Sequence, residues 1–298
     1  MIKLILKKQI LILKKQIDLI RKQIDLIRMK SSIFGQFIPH LLNKTKTQSC
    51  VICCGPKKSG TYLLHSIVRE LNMWEDINIC YFNNAWVWGP LVDRVKLGYA
   101  KFFTKKLRNG QFVAAHLQYC KEFEKILAKK RTYRNIKMLF IYRDPRDSMV
   151  SFMNFHKKDI EKMGKDYFPD CSNDSQRLVA VIDIFKGLWQ MQYYTKFAPW
   201  IENKYCHTVK FEDLYLEILS LKDGAMGSEL IKILQYLEIN LDSFDPQFFF
   251  NKVFNSSINA SNEINKIGQY KRCFEKIHYS LLDNIEFRKE LSSLGYKW

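Results

Sequence analysis

Between residues 4 and 31 the chain repeats every seven positions, reading LILKKQI, LILKKQI, DLIRKQI and DLIRMKS. Leu6, Ile10, Leu13, Ile17, Ile20, Ile24 and Ile27 recur at alternating spacings of four and three, the seam of a coiled coil, with Ile5, Ile12, Leu19 and Leu26 beside it. Residues 1–30 carry seven Lys and two Arg against two Asp. A lone helix of this length is marginal in water, so its apolar stripe needs a partner. Three readings stand: self-association through residues 4–30, docking on an anionic membrane surface, or an expanded repeat that encodes a helix without a role. Ser31 to Ser49, with Gly35 and Pro39, reads as a linker. The chain thus divides into a basic heptad-repeat helical arm at 1–30, a linker at 31–48 and a main domain at 49–298.

Beyond the linker, short apolar runs alternate with helical patterns. Strands are expected at 50–54, 112–116, 136–142 and 205–211, and helices at 60–73, 121–130, 145–157, 177–197, 228–237 and 279–292. Strands that alternate with helices pair in parallel, so the expected class is α/β: a central parallel sheet, P-loop-like, flanked by helices on both faces. No run of about 18 uncharged apolar residues occurs, so no membrane-spanning helix is expected. Lys pairs interrupt the N-terminal apolar runs, which argues against a signal peptide. The expected location is cytoplasmic, with the arm as the one route to a membrane.

Composition changes this picture in two places. Hydrophobic residues make up 47% of the 298 residues, enough for a sizeable core, and a formal charge of +18 favours an anionic partner or reflects a general lysine surplus. The eight cysteines are scattered, and the Cys50-x-x-Cys53 pair has no second half. Cys53 and Cys54 are adjacent on an expected strand and point to opposite faces, so they read as core thiols in a reducing compartment rather than as metal ligands.

Candidate chemistry concentrates at strand ends. After the first strand comes Gly55-Pro56-Lys57-Lys58-Ser59-Gly60-Thr61-Tyr62, which opens a helix. Unpaired N–H groups and the positive end of a helix bind phosphate there. The two glycines are spaced as in a nucleotide P-loop, but Thr61 stands where that loop needs Lys, and Lys58 precedes Gly60 instead. The strand 136–142 runs into Arg143-Asp144-Pro145-Arg146-Asp147 and then a helix carrying Ser148 and Ser151. An Arg rather than an Asp at that end suggests an anion and not a metal. His116 ends a third apolar run, at the sheet edge where α/β folds bind ligands, and an imidazole of ordinary pKa can accept a hydroxyl proton. Lys210-Phe211-Glu212-Asp213-Leu214 closes a fourth strand, and Lys266-Ile267-Gly268-Gln269-Tyr270-Lys271, followed by Phe274, lies near the C-terminus.

Taken in order over residues 48–275, these segments resemble the sulfotransferases that use 3′-phosphoadenosine 5′-phosphosulfate (PAPS). Lys58-Ser59-Gly60-Thr61 matches that family's 5′-phosphosulfate loop, with an extra Lys57 after Pro56 and Tyr62-Leu63 where the family often has Trp. Arg143 to Asp147 with Val150-Ser151 matches its 3′-phosphate motif. His116-Leu117 stands at its general-base position, although Ala114, Ala115 and Gln118 depart from the pattern. The resemblance implies PAPS as sulfuryl donor, with no metal. It assigns Lys58 and His116 to catalysis, and Lys58, Ser59, Gly60, Thr61, Tyr62, Arg143, Ser151, Phe211, Lys266 and Gly268 to the donor, with Phe211 against adenine and 266–274 as a C-terminal lid. Glu263-Ile264-Asn265 stand where the family carries Arg-Lys-Gly. The implied reaction is in-line transfer to a hydroxyl or amine of a small-molecule, glycan or lipid acceptor, whose pocket falls to 86–107 and 158–175. Trp86, Trp88, Tyr99, Phe102, Phe103, Tyr167 and Phe168 there serve as its wall or as core. The competing readings are a P-loop kinase of a small hydroxyl compound and an inactive protein that binds PAPS or nucleic acid. Nucleic acid is not expected as a partner, because no basic–aromatic readout motif occurs.

Overall fold

A computed structural model describes residues 49–71, 74–75, 82–83, 111–128, 135–163, 166, 168–187, 195–241, 244–258 and 267–298. The heptad arm, the linker, Lys266 and the pocket segment 86–107 fall outside these residues, as does Tyr167.

The strands are β1 (Cys50–Cys54), β2 (Trp74–Glu75), β3 (Phe82–Asn83), β4 (Gln111–His116), β5 (Ile136–Tyr142) and β6 (Cys206–Lys210). They form one parallel sheet in the order β2-β4-β1-β5-β6, with β3 also paired to β4. The chain fills one side of β1 and then crosses to the other with β5, so the edge beyond β1 is the point where the winding reverses. Open α/β sheets bind ligands at such a point, beyond the carboxyl ends of the strands.

Both faces of the sheet are buried, as an all-parallel sheet requires. Alternate residues divide between two cores. Cys50, Ile52, Cys54, Met138 and Phe140 face one core, and Val51, Cys53, Leu139 and Ile141 face the other. Cys53 and Cys54 do point apart, and no cysteine among the described residues forms a disulfide.

The first core is closed by α2 (Lys121–Ala128), α3 (Pro145–Met163), α4 (Asp174–Gly187) and the C-terminal helices α9 (Lys276–Leu282) and α10 (Ile285–Ser293). Trp200, fully buried, and Phe168 belong to it; of the two roles open to Phe168, the structure gives it the core. The second core is closed by α1 (Thr61–Glu70), α5 (Phe211–Ser220), α6 (Ser228–Tyr236) and α7 (Pro246–Ile258). In α1, Leu63, Leu64, Ile67 and Val68 form one buried stripe at helical spacing. A four-residue helix, α8 (Tyr270–Cys273), joins the last two segments.

The main departures from the sequence reading have local causes. The helix expected over 279–292 is two helices, because Asn284 turns its side chain onto the Phe287 N–H and caps α10. The strand expected through Phe211 stops at Lys210, and Phe211 opens α5 instead, with Glu212 and Asp213 in its first turn, where acidic residues favour the positive helix end. Helix α7 was not anticipated; Pro246 is its first residue, a position that suits proline's fixed φ. No helix among the described residues is long and apolar enough to cross a membrane.

Candidate functional site

Four strand ends converge on one edge, and the chemistry expected from sequence sits on them. The loop after β1 is held by its own backbone. The Ser59 hydroxyl donates to the Pro56 carbonyl at 2.7 Å, and the Ser59 N–H closes the same turn at 3.3 Å. Ser59 is fully buried, and its N–H and hydroxyl both close this turn. Lys58 takes the left-handed φ of 63°, uncommon for a residue with a side chain, and Gly60 has φ 101°. Glycine is required at Gly60 for a second reason: a Cβ there would lie 2.3 Å from the Phe211 ring. Gly60 precedes α1 and accepts at its carbonyl from the Leu63 N–H at 2.8 Å and the Leu64 N–H at 3.3 Å, so the positive helix end begins at this loop. Thr61 is buried at this start, whereas Tyr62 is exposed and Leu63 is packed in the second core.

Two lysines flank this loop. The Lys58 Nζ stands 4.0 Å from the centroid of the Phe155 ring, a cation–π contact that orients it beside α3. Lys57 is half-buried, and burial pulls its ammonium down to about 8. A partly desolvated ammonium in this loop is the environment that an anion would relieve.

His116 ends β4 and is locked to the loop. Its Nδ1 lies 2.7 Å from the Gly55 carbonyl, which can only accept, so Nδ1 carries the proton and Nε2 carries the lone pair. Burial pushes the imidazole down to about 4; the Gly55 bond opposes this, and Lys57 and Lys58 add to it. The expectation of an ordinary imidazole is therefore corrected. The next residue, Leu117, is clamped from two sides. Its N–H donates to Cys54 Sγ, the Cys54 thiol donates back to its carbonyl, and Trp200 Nε1 donates to that carbonyl at 3.0 Å. Burial raises Cys54 to about 12, so it serves as a neutral thiol.

The second anion site follows β5. Arg143 is buried, with its guanidinium carbon 4.5 Å from the Phe211 ring centroid and Nη2 3.8 Å from Asp147 Oδ2. Phe211 also stacks on Tyr215, so its ring packs under Gly60 and Arg143 and is 4% exposed. The ring that the resemblance assigns to adenine thus links the loop after β1 to Arg143. Arg146 is paired with Asp144 through Nε at 3.0 Å and Nη2 at 2.7 Å, and it lies over the Tyr270 ring at 4.1 Å. The Asp144 N–H donates to Glu212 Oε1 at 3.1 Å, while Glu212 Oε2 accepts from the Tyr296 hydroxyl at 2.8 Å. Asp147 accepts from the N–H of Gly268 at 2.7 Å and of Tyr270 at 3.0 Å. Burial raises its carboxyl above the usual range, against the pull of Arg143 and of those two N–H groups. Ser151, half-buried, lies one helical turn beyond Asp147 on α3.

The structure therefore brings together Lys58, Gly60, Thr61, His116, Arg143, Phe211 and Gly268, directly or through one shared neighbour. Sequence reasoning gave no role to the Gly55 carbonyl, Cys54, Phe155, Glu212 or Tyr296, although Gly55 and Glu212 lie within segments that it singled out. Among the described residues no group of three or more His, Cys, Asp or Glu could hold a metal ion.

No curated protein matches the chain. Among solved structures, the mouse sulfotransferase SULT7A1, crystallised in complex with PAP, aligns over 86% of this chain and 90% of its own, at 12% identity and a TM-score of 0.47. The sulfotransferase domain model matches residues 48–272, which include the loop after β1, His116, Arg143 and Gly268. The chain belongs to the sulfotransferase domain family.

Proposed function

We propose that this protein transfers a sulfuryl group from PAPS to a hydroxyl or amine acceptor, with His116 as general base. The observation that carries the reading is the lock between base and phosphate loop: the buried His116 ring donates through Nδ1 to the Gly55 carbonyl at 2.7 Å, which fixes the imidazole beside the loop. That tautomer suits a base, because the imidazole is neutral and Nε2 is its acceptor nitrogen.

In the proposed reaction the acceptor oxygen or nitrogen attacks sulfur as His116 Nε2 takes its proton. The bond between sulfur and the 5′-phosphate oxygen breaks, and adenosine 3′,5′-bisphosphate (PAP) leaves. Lys58 stabilises the charge that grows on the bridging oxygen, and the N–H groups at the start of α1 hold the 5′-phosphate. Arg143 and Ser151, with Gly268 and Lys266 from the lid segment, serve the 3′-phosphate; a guanidinium suits that group through paired N–H donors. Phe211 supports both sites from beneath. The loop fits such a donor because it gathers two lysines, one of them partly desolvated, beside a buried histidine.

The test is transfer from ³⁵S-labelled PAPS to a panel of phenols, alcohols, amines, glycans and lipids, followed for labelled product and for PAP. His116→Ala should reduce transfer by about 10²–10⁴ while PAP affinity stays near that of the wild type. Full activity in that variant would remove His116 from the chemistry. A phosphorylated product from ATP would favour a kinase instead.

A further inference from the structure

Asp147 lies in the first turn of α3, one turn after Arg143 and almost fully buried. Its two carboxylate oxygens are divided between backbone N–H groups from far along the chain: Oδ2 accepts from Gly268, 121 residues away, and Oδ1 from Tyr270. The turn they belong to is held in two further ways. Gly268 has φ 69°, a conformation that side chains rarely adopt, and its carbonyl accepts from the Lys271 N–H at 3.1 Å. The Tyr270 ring lies under the Arg146 guanidinium, which Asp144 holds by two bonds. Arg146 and Asp147 therefore grip the turn 267–270 beside the buried Arg143, with Asp144 holding Arg146 in place.

Asp147 is a poor partner for Arg143 itself. Their closest approach is 3.8 Å, longer than a charge-assisted hydrogen bond of about 2.7–2.9 Å. Its short contacts go to the backbone of the turn. Two convergent N–H donors call for two acceptor oxygens, which a carboxylate supplies and a carboxamide does not.

We propose that Asp147 is a positioning residue: by fixing the turn 267–270 against the start of α3, it sets the affinity of the Arg143 site for a 3′-phosphate without touching that phosphate. The inference rests on the sulfotransferase reading of Arg143. It carries a prediction opposite in sign to simple electrostatics. Removing a negative charge next to Arg143 should tighten binding of any anion there; removing the anchor of the turn should weaken it. By linkage, a turn whose docking strengthens PAP binding must itself be stabilised when PAP binds.

The experiment is titration calorimetry of the full chain and of Asp147→Asn with PAP and with adenosine 5′-phosphate, which lacks the 3′-phosphate. The expected result is a loss of about tenfold or more for PAP, with little change for adenosine 5′-phosphate. Unchanged or tighter PAP binding, or equal losses for both ligands, would overturn the proposal and leave the donor reading intact. A wild-type chain that does not prefer PAP would defeat the donor reading and the proposal together. Should Asp147→Asn not be recovered folded, hydrogen exchange on the wild type decides. PAP should slow the Gly268 and Tyr270 amides more than adenosine 5′-phosphate does, and equal slowing would overturn the proposal.

Discussion

The two phosphate sites proposed at this sheet edge are built on different principles. The loop after β1 is a backbone device. Its shape comes from Gly60 and Lys58 at positive φ, from a turn closed by Ser59 on Pro56, and from the N-terminus of α1. The segment after β5 contains no residue at positive φ among Arg143 to Asp147. It is a side-chain device, in which buried Arg143, Asp144, Arg146 and Asp147 are held by Phe211, Glu212, Tyr270 and the backbone of Gly268. A backbone site can be specified within a few consecutive residues. A buried charged network needs partners from elsewhere in the chain, since an isolated buried ion is strongly disfavoured. The two devices should therefore fail differently.

The largest effect is expected at the backbone site. Lys58→Ala should lower turnover by about 10²–10³, the usual loss for one contact to charge that grows in the transition state. PAP affinity should fall much less, because the N–H groups of α1 remain. Steady-state kinetics with a verified acceptor, beside PAP titration, checks this. Turnover near that of the wild type would leave the loop as a binding feature alone.

Arg143→Ala separates the two sites. PAP should weaken by about 10-fold to 100-fold, as expected for a charge-assisted contact, and adenosine 5′-phosphate by little, since only PAP places a phosphate there. Equal weakening of both ligands would mean that the Phe211 bridge between Gly60 and Arg143 transmits damage to the backbone site.

A smaller change should appear at the rim of the side-chain network. Tyr296→Phe removes the hydroxyl that donates to Glu212 Oε2 and leaves Oε1 on the Asp144 N–H. The deprived carboxylate is buried, and burial already raises its pKa. A destabilisation of about 1–2 kcal/mol is expected, read as a lower midpoint in urea. It should be accompanied by a slightly reduced preference for PAP over adenosine 5′-phosphate. An unchanged midpoint would show that the C-terminal residues do not support the network.

The same contrast explains what the sequence revealed. β1, β4 and β5 were legible because each is a short apolar run at the expected place, and the loop after β1 because Gly55 and Gly60 frame it. Arg143 stands out as a candidate anion-binding group, since it occupies the place of an acidic metal ligand. Its supports do not. Glu212 lies 68 residues from Asp144, and Tyr296 another 84 from Glu212, so no local pattern reports that they meet. Phe211 was read as a strand-end aromatic open to a base; the helix that begins there turns it inward, under Gly60. Cys54 was read as an inert core thiol, which describes its protonation but not its clasp on Leu117. The basicity of His116 depends on burial and on two lysines brought close by folding, neither of which spacing along the chain reports.

That basicity supports a prediction about pH. The folded chain holds His116 near 4 against an ordinary 6.5, so folding favours the neutral imidazole. Its contribution to stability is fully present above pH 6.5 and is lost as pH falls towards 4, on the order of 3 kcal/mol in all. Activity should follow a different course. The free enzyme keeps a neutral His116 down to the same low pH, so the acid limb of kcat/KM for the donor should lie well below pH 6.5. Burial is the main cause of the depression, but Lys57 and Lys58 add to it. A bound polyanion would offset those two charges and raise His116 part of the way back. The acid limb of kcat, which reports the occupied enzyme, should therefore lie at higher pH than that of kcat/KM. Lys57→Gln should narrow the gap by raising the kcat/KM limb, because one of the two opposing charges is gone before the donor arrives. Rates taken within the pH range where the chain remains folded, checked by circular dichroism, give both limbs. If they coincide in the wild type and in Lys57→Gln, the lysines of the backbone site do not act on His116, and its low basicity is an effect of burial alone.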